Sequence, residues 1–430
     1  MWRRIYTAVL YSALPFFFLR LVWKRLHGDQ TEWQRGSQQL GSVPRQSGAL
    51  PLIWIHAVSV GEVNAATPIV NELLKEQAKN CNFLITTTTM TGKEVVERSF
   101  GGQITHLYFP VDLPMVLRLF LNRVRPAMLI LLEREIWPNL LVMCKQRNIK
   151  VLLINARLSE NSFKTYKLGN FIIKPTLSSI NWIGAQSTSD VDRFVRLGYQ
   201  RNKIEETGNI KFDLALQSVT QVQRWLPAQV WGSQRHVWIA ASTHEGEEAL
   251  VLQSLARLYE AKIDVMLILV PRHPQRFDQV AALCRRSGFV TIRRSSGKVP
   301  DQRTQIFLAD SMGELPGWYA CAHVAFVGGS LVPAGGHNLL EPAALGIPVL
   351  CGPYVDNWRD IVHQLVDGGH TRWVRNSDEL ASNVKALLLD HQMRQYAAIK
   401  GKEIIARNCG ATQRTITRII PMMPWIPSKK

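Results

Sequence analysis

From about residue 50 onward, short apolar runs alternate with amphipathic stretches along the chain. Three of the amphipathic stretches, 63–77, 247–259 and 274–287, have helical periodicity. We predict strands in the apolar runs at 52–58, 83–87, 127–132, 151–155, 182–185, 237–241, 265–270, 290–293, 306–308, 324–327 and 348–351. Runs rich in Val, Ile and Leu that are separated by helices are typical of parallel sheets covered on both faces. The pattern therefore predicts an α/β protein.

One stretch interrupts this alternation, because 217–234 has no clear strand and separates two series of strands and helices. We predict a linker there, between two Rossmann-like domains at 28–216 and 235–405 that face each other across a cleft. The start of the first domain, 28–48, is polar and rich in Gly, Ser and Gln, and we expect a linker or loop. We expect 406–430 to form a C-terminal tail that packs near the interface of the two domains.

The N-terminal segment differs from the rest of the chain because residues 5–19 are almost wholly apolar. Basic residues flank this run at Arg3, Arg4, Arg20, Lys24 and Arg25. We predict a hydrophobic membrane anchor in 1–27, either spanning or interfacial, since the run is short for a full span and contains Pro15. A cleavable signal peptide and a buried helix are the alternatives, and no small-x-small cleavage site follows the run. The basic flank favours the cytoplasmic, anionic side of the membrane for the rest of the chain.

Composition narrows the classes of protein to consider. Of 430 residues, 46% are hydrophobic and 20% are charged, which excludes a disordered or collagen-like chain. Lys and Arg number 51 against 33 Asp and Glu, and the net charge of +18 favours a polyanionic partner such as nucleic acid, an anionic membrane or a phosphorylated substrate. The six cysteines form no C-x-x-C pair, which argues against a disulfide framework or structural zinc and favours a reducing compartment.

Polar and charged residues recur where the predicted strands end. The segments 59–62, 133–139, 242–247 and 271–274 each follow a predicted strand directly. In open α/β sheets, ligands bind at the carboxyl ends of the strands. A single acid such as Glu62 is also explained as a first-turn residue that favours the helix dipole. The recurrence of polar and charged residues at several strand ends favours a functional cleft.

The segment 328–342 is rich in glycine and follows the predicted strand at 324–327. We expect its glycine pairs to bring backbone amides close to the anionic oxygens of a ligand. A short helix is predicted next, at 338–345, with its positive end at this segment and Glu341 within reach of ribose hydroxyls. Because the segment is neither G-x-G-x-x-G nor a Walker loop, NAD and ATP are not supported. No H-E-x-x-H, paired-His or D-x-D spacing occurs in the sequence, and we expect neither a metal nor another cofactor.

Some conspicuous side chains have structural explanations. His56 follows an apolar strand, and we expect a hydrogen-bonded histidine of the core. His337, beside the glycine-rich segment, is either a ligand contact or a cap. His244 and Glu245 either cap the following helix or face the cleft. We expect the phenylalanines at 16–18 to face lipid.

The sequence resembles the 3-deoxy-D-manno-octulosonic acid (Kdo) transferases of bacterial lipopolysaccharide assembly. The resemblance rests on motifs that occur in order from the N-terminal anchor to about residue 358. They are HAVSVGE (56–62), TTTTMTG (86–92), EREIWPN (133–139), NARLS (155–159), GNIKFD (208–213), ASTHEGEE (241–248), PRHPQRF (271–277), MGEL (312–315) and GGSLVPAGGHNLLEPAALG (328–346).

The resemblance implies a GT-B fold and transfer of Kdo from CMP-Kdo to a lipid A precursor at the cytoplasmic face of the inner membrane. It implies inversion at the anomeric carbon and no required metal. It also implies that Glu62 is the general base and that Glu133 and Lys211 support the transition state. The implied CMP contacts are Pro271, Arg272, Met312, Gly313, Glu314, Asn338, Leu339, Leu340 and Glu341. One departure is Arg134, because a Met-Glu-Thr-Glu-like stretch is usual where this chain has a cation between two glutamates.

Two other functions remain open from the sequence. One is a different GT-B transferase with a lipid acceptor, which would bind UDP rather than CMP. The other is a basic nucleic-acid-binding protein, which the charge allows but no zinc finger, helix-turn-helix or RNA-binding motif supports. We expect CMP-Kdo, a lipid A precursor and an anionic membrane surface as partners, and no nucleic acid.

Overall fold

The computed structural model describes residues 2–27, 30–46, 48–222 and 235–424. The chain divides into two compact units. The first runs from the N-terminus to Ile210 and includes the residues from Gly410 onward, and the second is Lys211–Cys409.

The first unit is built on seven parallel strands in the order β3-β2-β1-β4-β5-β6-β7. These strands are β1 (Leu52–His56), β2 (Asn82–Thr87), β3 (Thr105–Tyr108), β4 (Met128–Leu132), β5 (Lys150–Ala156), β6 (Trp182–Ala185) and β7 (Ile204–Glu206). Its helices up to β7 are α1 (Trp2–Leu26), α2 (Gln30–Gln39), α3 (Val60–Gln77), α4 (Met90–Phe100), α5 (Pro114–Val124), α6 (Pro138–Gln146), α7 (Glu160–Leu168), α8 (Asn170–Leu177) and α9 (Thr188–Arg196).

The second unit also has seven parallel strands, in the order β10-β11-β9-β8-β12-β13-β14. They are β8 (His236–Thr243), β9 (Val265–Pro271), β10 (Thr291–Arg293), β11 (Ile306–Leu308), β12 (Val324–Val327), β13 (Val349–Cys351) and β14 (Thr371–Trp373). The remaining helices are α10 (Ile210–Val222), α11 (Glu247–Glu260), α12 (Phe277–Arg286), α13 (Leu315–Ala320), α14 (Leu340–Leu345), α15 (Arg359–Asp367), α16 (Ser377–Leu389), α17 (His391–Asn408) and α18 (Ala411–Ile419). The last of these belongs to the first unit.

Each sheet is covered by helices on both faces, which explains why the strands are almost continuously apolar. In β1, Trp54 lies in one core cluster, whereas its neighbours Ile53 and Ile55 lie in the cluster on the opposite face. Ile416 and Ile419 of α18 complete the second of these clusters. The C-terminal helix is therefore part of the core of the first unit.

The predicted α/β class with two Rossmann-like units is confirmed, and every predicted strand is present within a few residues. Three strands were missed: β3, β7 and β14. Each has only three or four residues and lies at an edge of its sheet, where the chain has one neighbour and carries no long apolar run.

The segments expected to be irregular are partly helical. The loop expected at 28–48 contains the helix α2, which packs on α1. Its polar sequence has no apolar periodicity that would predict a helix. Of the linker predicted at 217–234, residues up to Val222 belong to α10, and 223–234 lie outside the described residues. The assignment of an acceptor role to the first domain and a donor role to the second stays a prediction.

Candidate functional site

The polar residues singled out from the sequence lie at the carboxyl edge of each sheet. In the first unit, β1 pairs with β4, and His56 lies opposite Leu131. In the second unit, β8 pairs with β12, and Ala241 lies opposite Val327. In each sheet, the chain continues from these two neighbouring strands toward opposite edges of the sheet. Open α/β sheets bind ligands at the place where the strand order reverses in this way.

Glu62 is the third residue of α3, and its Oε2 accepts a hydrogen bond from the Val58 amide at 2.9 Å. Burial raises the pKa of Glu62 to about 8, against the lowering effect of the Val58 amide. The negative charges of Glu133 and Glu135 raise this pKa further, and Arg134 lowers it. The side chain is partly exposed, so a carboxyl group with unusual proton affinity is accessible at the sheet edge.

Glu133 follows β4 directly and has a φ of +54°, in the left-handed region that a residue with a side chain rarely adopts. Its amide donates to the Ile154 carbonyl at 3.1 Å, and its own carbonyl accepts from Arg157. These bonds to β5 and the residue beyond it hold the strained conformation. Such strain is found preferentially at functional sites, which agrees with the predicted role of Glu133.

Glu135 organises the polar surroundings of Glu62 and was not singled out from the sequence. Its Oε2 accepts from the Trp137 indole at 2.8 Å and lies 3.5 Å from Nε2 of His56. His56 is fully buried, stacks on Phe109 at 3.7 Å and contacts Thr86 through Nδ1. The prediction of a core histidine is therefore confirmed.

Lys211 lies in the first turn of α10, at the start of the second unit. Its ammonium group is 5.0 Å from the centroid of the Trp358 ring, a cation–π distance. The flat ring fixes the direction of a long flexible side chain. This contact connects the GNIKFD motif to the start of α15 within the second unit.

Glu247, the first residue of α11, is the most heavily hydrogen-bonded carboxylate of the second unit's edge. It is fully buried. Its Oε2 accepts from the amides of His244 at 2.9 Å and Gly329 at 2.7 Å. Its Oε1 accepts from the amides of Ser330 at 3.0 Å and Leu331 at 2.8 Å. This carboxylate joins the loop after β8 to the loop after β12.

This arrangement corrects one expectation about the glycine-rich segment. The amides of Gly329 and the two following residues donate to Glu247 rather than to a ligand. A Cβ at Gly328 would lie 2.8 Å from Glu247 Oε2 and 2.7 Å from the Ser242 carbonyl, and Gly329 has a φ of +67°. The first glycine pair, Gly328 and Gly329, therefore allows the backbone to come close to the internal carboxylate of Glu247.

Three histidines lie beside Glu247, which we call the clamp because its carboxylate joins two loops. Nε2 of His244 is 2.7 Å from Nε2 of His337, and the ring of His273 is 5.1 Å from that of His244. One of the two close nitrogens must donate while the other accepts. Burial, together with His244, Arg272 and His273, lowers the pKa of His337 to about 4, so this ring is neutral at physiological pH. Glu245 is exposed, and Gly246 is the N-cap of α11 without a side-chain cap bond.

The predicted donor residues occupy three loops of the second unit. Pro271 is the buried end of β9, and Arg272 is exposed, with its amide donating to the Thr243 carbonyl. Met312 is 59% exposed, and Gly313 has a φ of +83°. Glu314 pairs with Arg294 at 3.2 Å and accepts from the Ser311 hydroxyl.

The third donor motif lies at the start of α14, which begins two residues later than predicted. Nδ2 of Asn338 donates to Glu341 at 2.9 Å, and its Oδ1 accepts from the Leu340 amide at 3.0 Å. Burial raises the pKa of Glu341. The side chains of Leu339 and Leu340 are in the core, so these two residues offer a ligand only their backbone.

Comparisons with known proteins identify the family. A family model described as 3-deoxy-D-manno-octulosonic-acid transferase (kdotransferase) matches residues 34–214. The 3-deoxy-D-manno-octulosonic acid transferase of Haemophilus influenzae is 38% identical over 98% of this chain and 99% of its own length. The protein of that name from Bordetella pertussis is 33% identical over 97% of this chain and 98% of its own length. The chain belongs to the Kdo transferase family.

A solved structure agrees with the architecture of this Kdo transferase family member. The UDP-GlcNAc 2-epimerase from Neisseria meningitidis has a TM-score of 0.60 at 13% identity and covers 86% of this chain and 100% of its own. At that identity the likeness concerns the fold alone. Together with the two seven-stranded units, it confirms the predicted GT-B class.

Within each unit, the structure brings predicted site residues together. Glu62 and Glu133 interact electrostatically in the first, and Asn338 bonds Glu341 in the second. Among the residues that the structure describes, no group of three or more His, Cys, Asp or Glu side chains forms a metal site. The catalytic and CMP-binding roles assigned from the family motifs stay predictions.

Proposed function

We propose that this protein is an inverting glycosyltransferase that moves Kdo from CMP-Kdo to a lipid A precursor of the lipid IVA type in lipopolysaccharide core biosynthesis. The observation that carries the proposal is Glu62, a partly exposed carboxyl group with a pKa of about 8 at the carboxyl edge of the first sheet. It lies in a chain that is similar to Kdo transferases over nearly its whole length.

In this mechanism the acceptor hydroxyl gives its proton to Glu62 as its oxygen attacks the anomeric carbon of Kdo. The bond from that carbon to the CMP phosphate oxygen breaks on the opposite face, and CMP leaves with the bonding electrons. A general base works best when its pKa is near the working pH, and the raised pKa of Glu62 meets that condition. Glu133 and Lys211 support the charge that develops on the sugar.

The second unit supplies the donor site. The exposed guanidinium of Arg272 is available to the phosphate of CMP, whose growing charge a cation stabilises without a metal. The Asn338–Glu341 pair faces ribose hydroxyls, with Asn338 fixing the orientation of the carboxyl group. Pro271, the 312–314 loop and the backbone of Leu339 and Leu340 complete the site. CMP-Kdo is a co-substrate, and no cofactor takes part.

We place the protein at the cytoplasmic face of the inner membrane, held there by its N-terminal segment. Within the described residues, one helix, Arg3–Leu26, has the length and apolar composition of a membrane span. The net charge of +18 attracts the protein to anionic lipids, at about 1 kcal/mol for each cation near the headgroups. The same charge suits an acceptor that carries phosphates.

The proposal is tested by incubating the purified full-length chain with CMP-Kdo and lipid IVA, with and without EDTA, and weighing the product by mass spectrometry. We expect the acceptor to gain the mass of one or more Kdo residues, to the same extent in both samples. A mass gain only from a UDP-sugar would show another GT-B transferase. Tight retention on DNA that CMP does not affect, without transfer, would show the nucleic-acid-binding alternative.

A further inference from the structure

The N-terminal helix α1 lies along the first unit rather than projecting from it. Its less exposed positions lie on one stripe, at the three- or four-residue spacing of a helix face, and include Arg3, Thr7, Leu10, Leu14, Leu21 and Lys24. At 1.5 Å per residue this stripe is about 32 Å long, close to the thickness of about 30 Å of the hydrocarbon core of a bilayer. The stripe packs on α2, α6 and α8.

Hydrogen bonds fasten the N-terminal end of α1 to the body of the first unit. The Tyr6 hydroxyl donates to Oδ2 of Asp112 at 3.0 Å, and the Thr7 hydroxyl donates to Oδ1 of Asn139 at 3.0 Å. Arg3 donates to the same Asn139 oxygen at 3.3 Å. Asp112 is buried and also accepts from the amides of Asn139 and Leu140 at the start of α6. The first two turns of α1 are thus bonded to the polar N-terminus of a helix of the body.

The C-terminal end of α1 is held by close packing on α2. Leu21 is buried against Gly36, where an added Cβ would lie 1.9 Å from the leucine Cδ1. The Arg25 guanidinium lies 4.4 Å from the centroid of the Trp33 ring. Because α2 has the polar sequence QTEWQRGSQQ, its burial in the hydrocarbon core of a bilayer would be energetically costly. A spanning orientation of α1 would carry α2 into the bilayer with it.

The opposite face of α1 is apolar and exposed. Ile5, Val9, Phe16, Leu19 and Trp23 are between 48% and 76% exposed and follow one another at helical spacing on that face. The exposed Arg4 and Arg20 lie on either side of it. An apolar helix face bordered by cations is the pattern of helices that lie in the plane of an anionic membrane surface.

We propose that α1 binds an anionic phospholipid bilayer in plane and does not cross it, with its apolar face at the boundary between headgroups and acyl chains. The proposal deepens the membrane attachment given above and rests on it. Arg4 and Arg20 then meet lipid phosphates, while the stripe from Arg3 to Lys24 stays on the body. Both ends of the helix remain on the side of the membrane that holds the rest of the protein.

The test is a protease-protection experiment on the full chain with a cleavable epitope tag ahead of residue 1. In inside-out vesicles of the inner membrane, we expect protease to remove the tag and to reach the body of the protein as well. In intact spheroplasts, we expect both to be protected. Removal of the tag in spheroplasts with protection in inside-out vesicles would show a spanning helix and overturn the proposal. Neither readout requires transfer activity, so failure of the proposed reaction is a separate result.

A second measurement tests the occupant of the apolar face. The double variant Phe16→Asp, Leu19→Asp should bind vesicles of phosphatidylethanolamine and phosphatidylglycerol at least tenfold more weakly than the unmodified chain. Leu389→Asp, at an apolar position of the second unit that is 56% exposed, is the matched control and should bind normally. Unchanged vesicle binding by the double variant, with loss of a dimer in solution instead, would assign the face to a second copy of the chain and overturn the proposal.

Discussion

Glu62 and Glu247 occupy corresponding places in the two units, since each lies in the first turn of the helix that follows the first strand of its sheet. Glu62 accepts one backbone amide and is partly exposed, whereas Glu247 accepts four amides and is fully buried. The four bonds of Glu247 use both carboxylate oxygens to join two loops, while burial and two acidic neighbours raise the pKa of Glu62. The comparison teaches that hydrogen-bond supply, rather than position in the fold, separates a proton acceptor from a structural clamp.

The largest effect is expected from Glu62→Gln, which keeps the shape of the side chain but removes the proposed base. We expect kcat to fall by roughly 10² to 10⁴, the usual contribution of general base catalysis. Transfer to lipid IVA at saturating CMP-Kdo is the measurement. Glu76→Gln, at an exposed position of the same helix, is the matched control and should retain full activity.

Binding of CMP by the Glu62→Gln variant sharpens the same comparison. Its Kd, measured by calorimetry, should stay close to that of the unmodified chain, because the proposed donor residues belong to the second unit. Turnover within tenfold of the unmodified chain would remove Glu62 from the role of base.

Glu247→Ala should act on stability, because it leaves four buried amides without their acceptor. We expect the free energy of unfolding to fall by roughly 3 to 5 kcal/mol. Urea unfolding of the second unit followed by tryptophan fluorescence measures this change. Glu245→Ala, two residues away and exposed, should change it by less than about 0.5 kcal/mol. Equal stability of the two variants would show that Glu247 is not a clamp.

The pH dependence of transfer should report Glu62. The base must be deprotonated to act, and burial raises its pKa to about 8. We therefore expect kcat/KM to rise tenfold per pH unit below about pH 8 and to level off above it. A profile that is already flat from pH 5.5 to 7.5 would contradict a raised pKa at the catalytic group.

The sequence predicts the elements whose information is local and misses what depends on distant partners. The apolar strands and the acids at their ends are visible because burial on both faces requires continuous apolar runs. The clamp formed by Glu247 is not visible, because three of the four amides that it binds lie 82 to 84 residues further along the chain. The sequence alone therefore favours a ligand for the glycine-rich segment, although the amides of Gly329, Ser330 and Leu331 are bound by Glu247 inside the protein.

The pKa of Glu62 has the same origin. Its position is given by a local motif, but its proton affinity depends on burial and on Glu133 and Glu135 from a different strand end. Helix α2 was missed for a related reason, since its polar sequence acquires a packed side only when Leu21 of α1 lies on Gly36.

The smallest effect is expected from Arg134→Gln, which tests the one departure of the site from the family pattern. Arg134 lowers the pKa of Glu62, so its removal should move the midpoint of the pH profile upward. The shift should be below about one pH unit, because Arg134 is exposed and water screens its charge. It should also shrink when kcat/KM is measured at 1 M rather than 0.05 M salt, since salt screens exposed charges. A downward shift would mean that Arg134 acts on Glu133 or Glu135 more strongly than on Glu62. The role of Arg134 would then be to hold these two glutamates in place rather than to lower the pKa of the base.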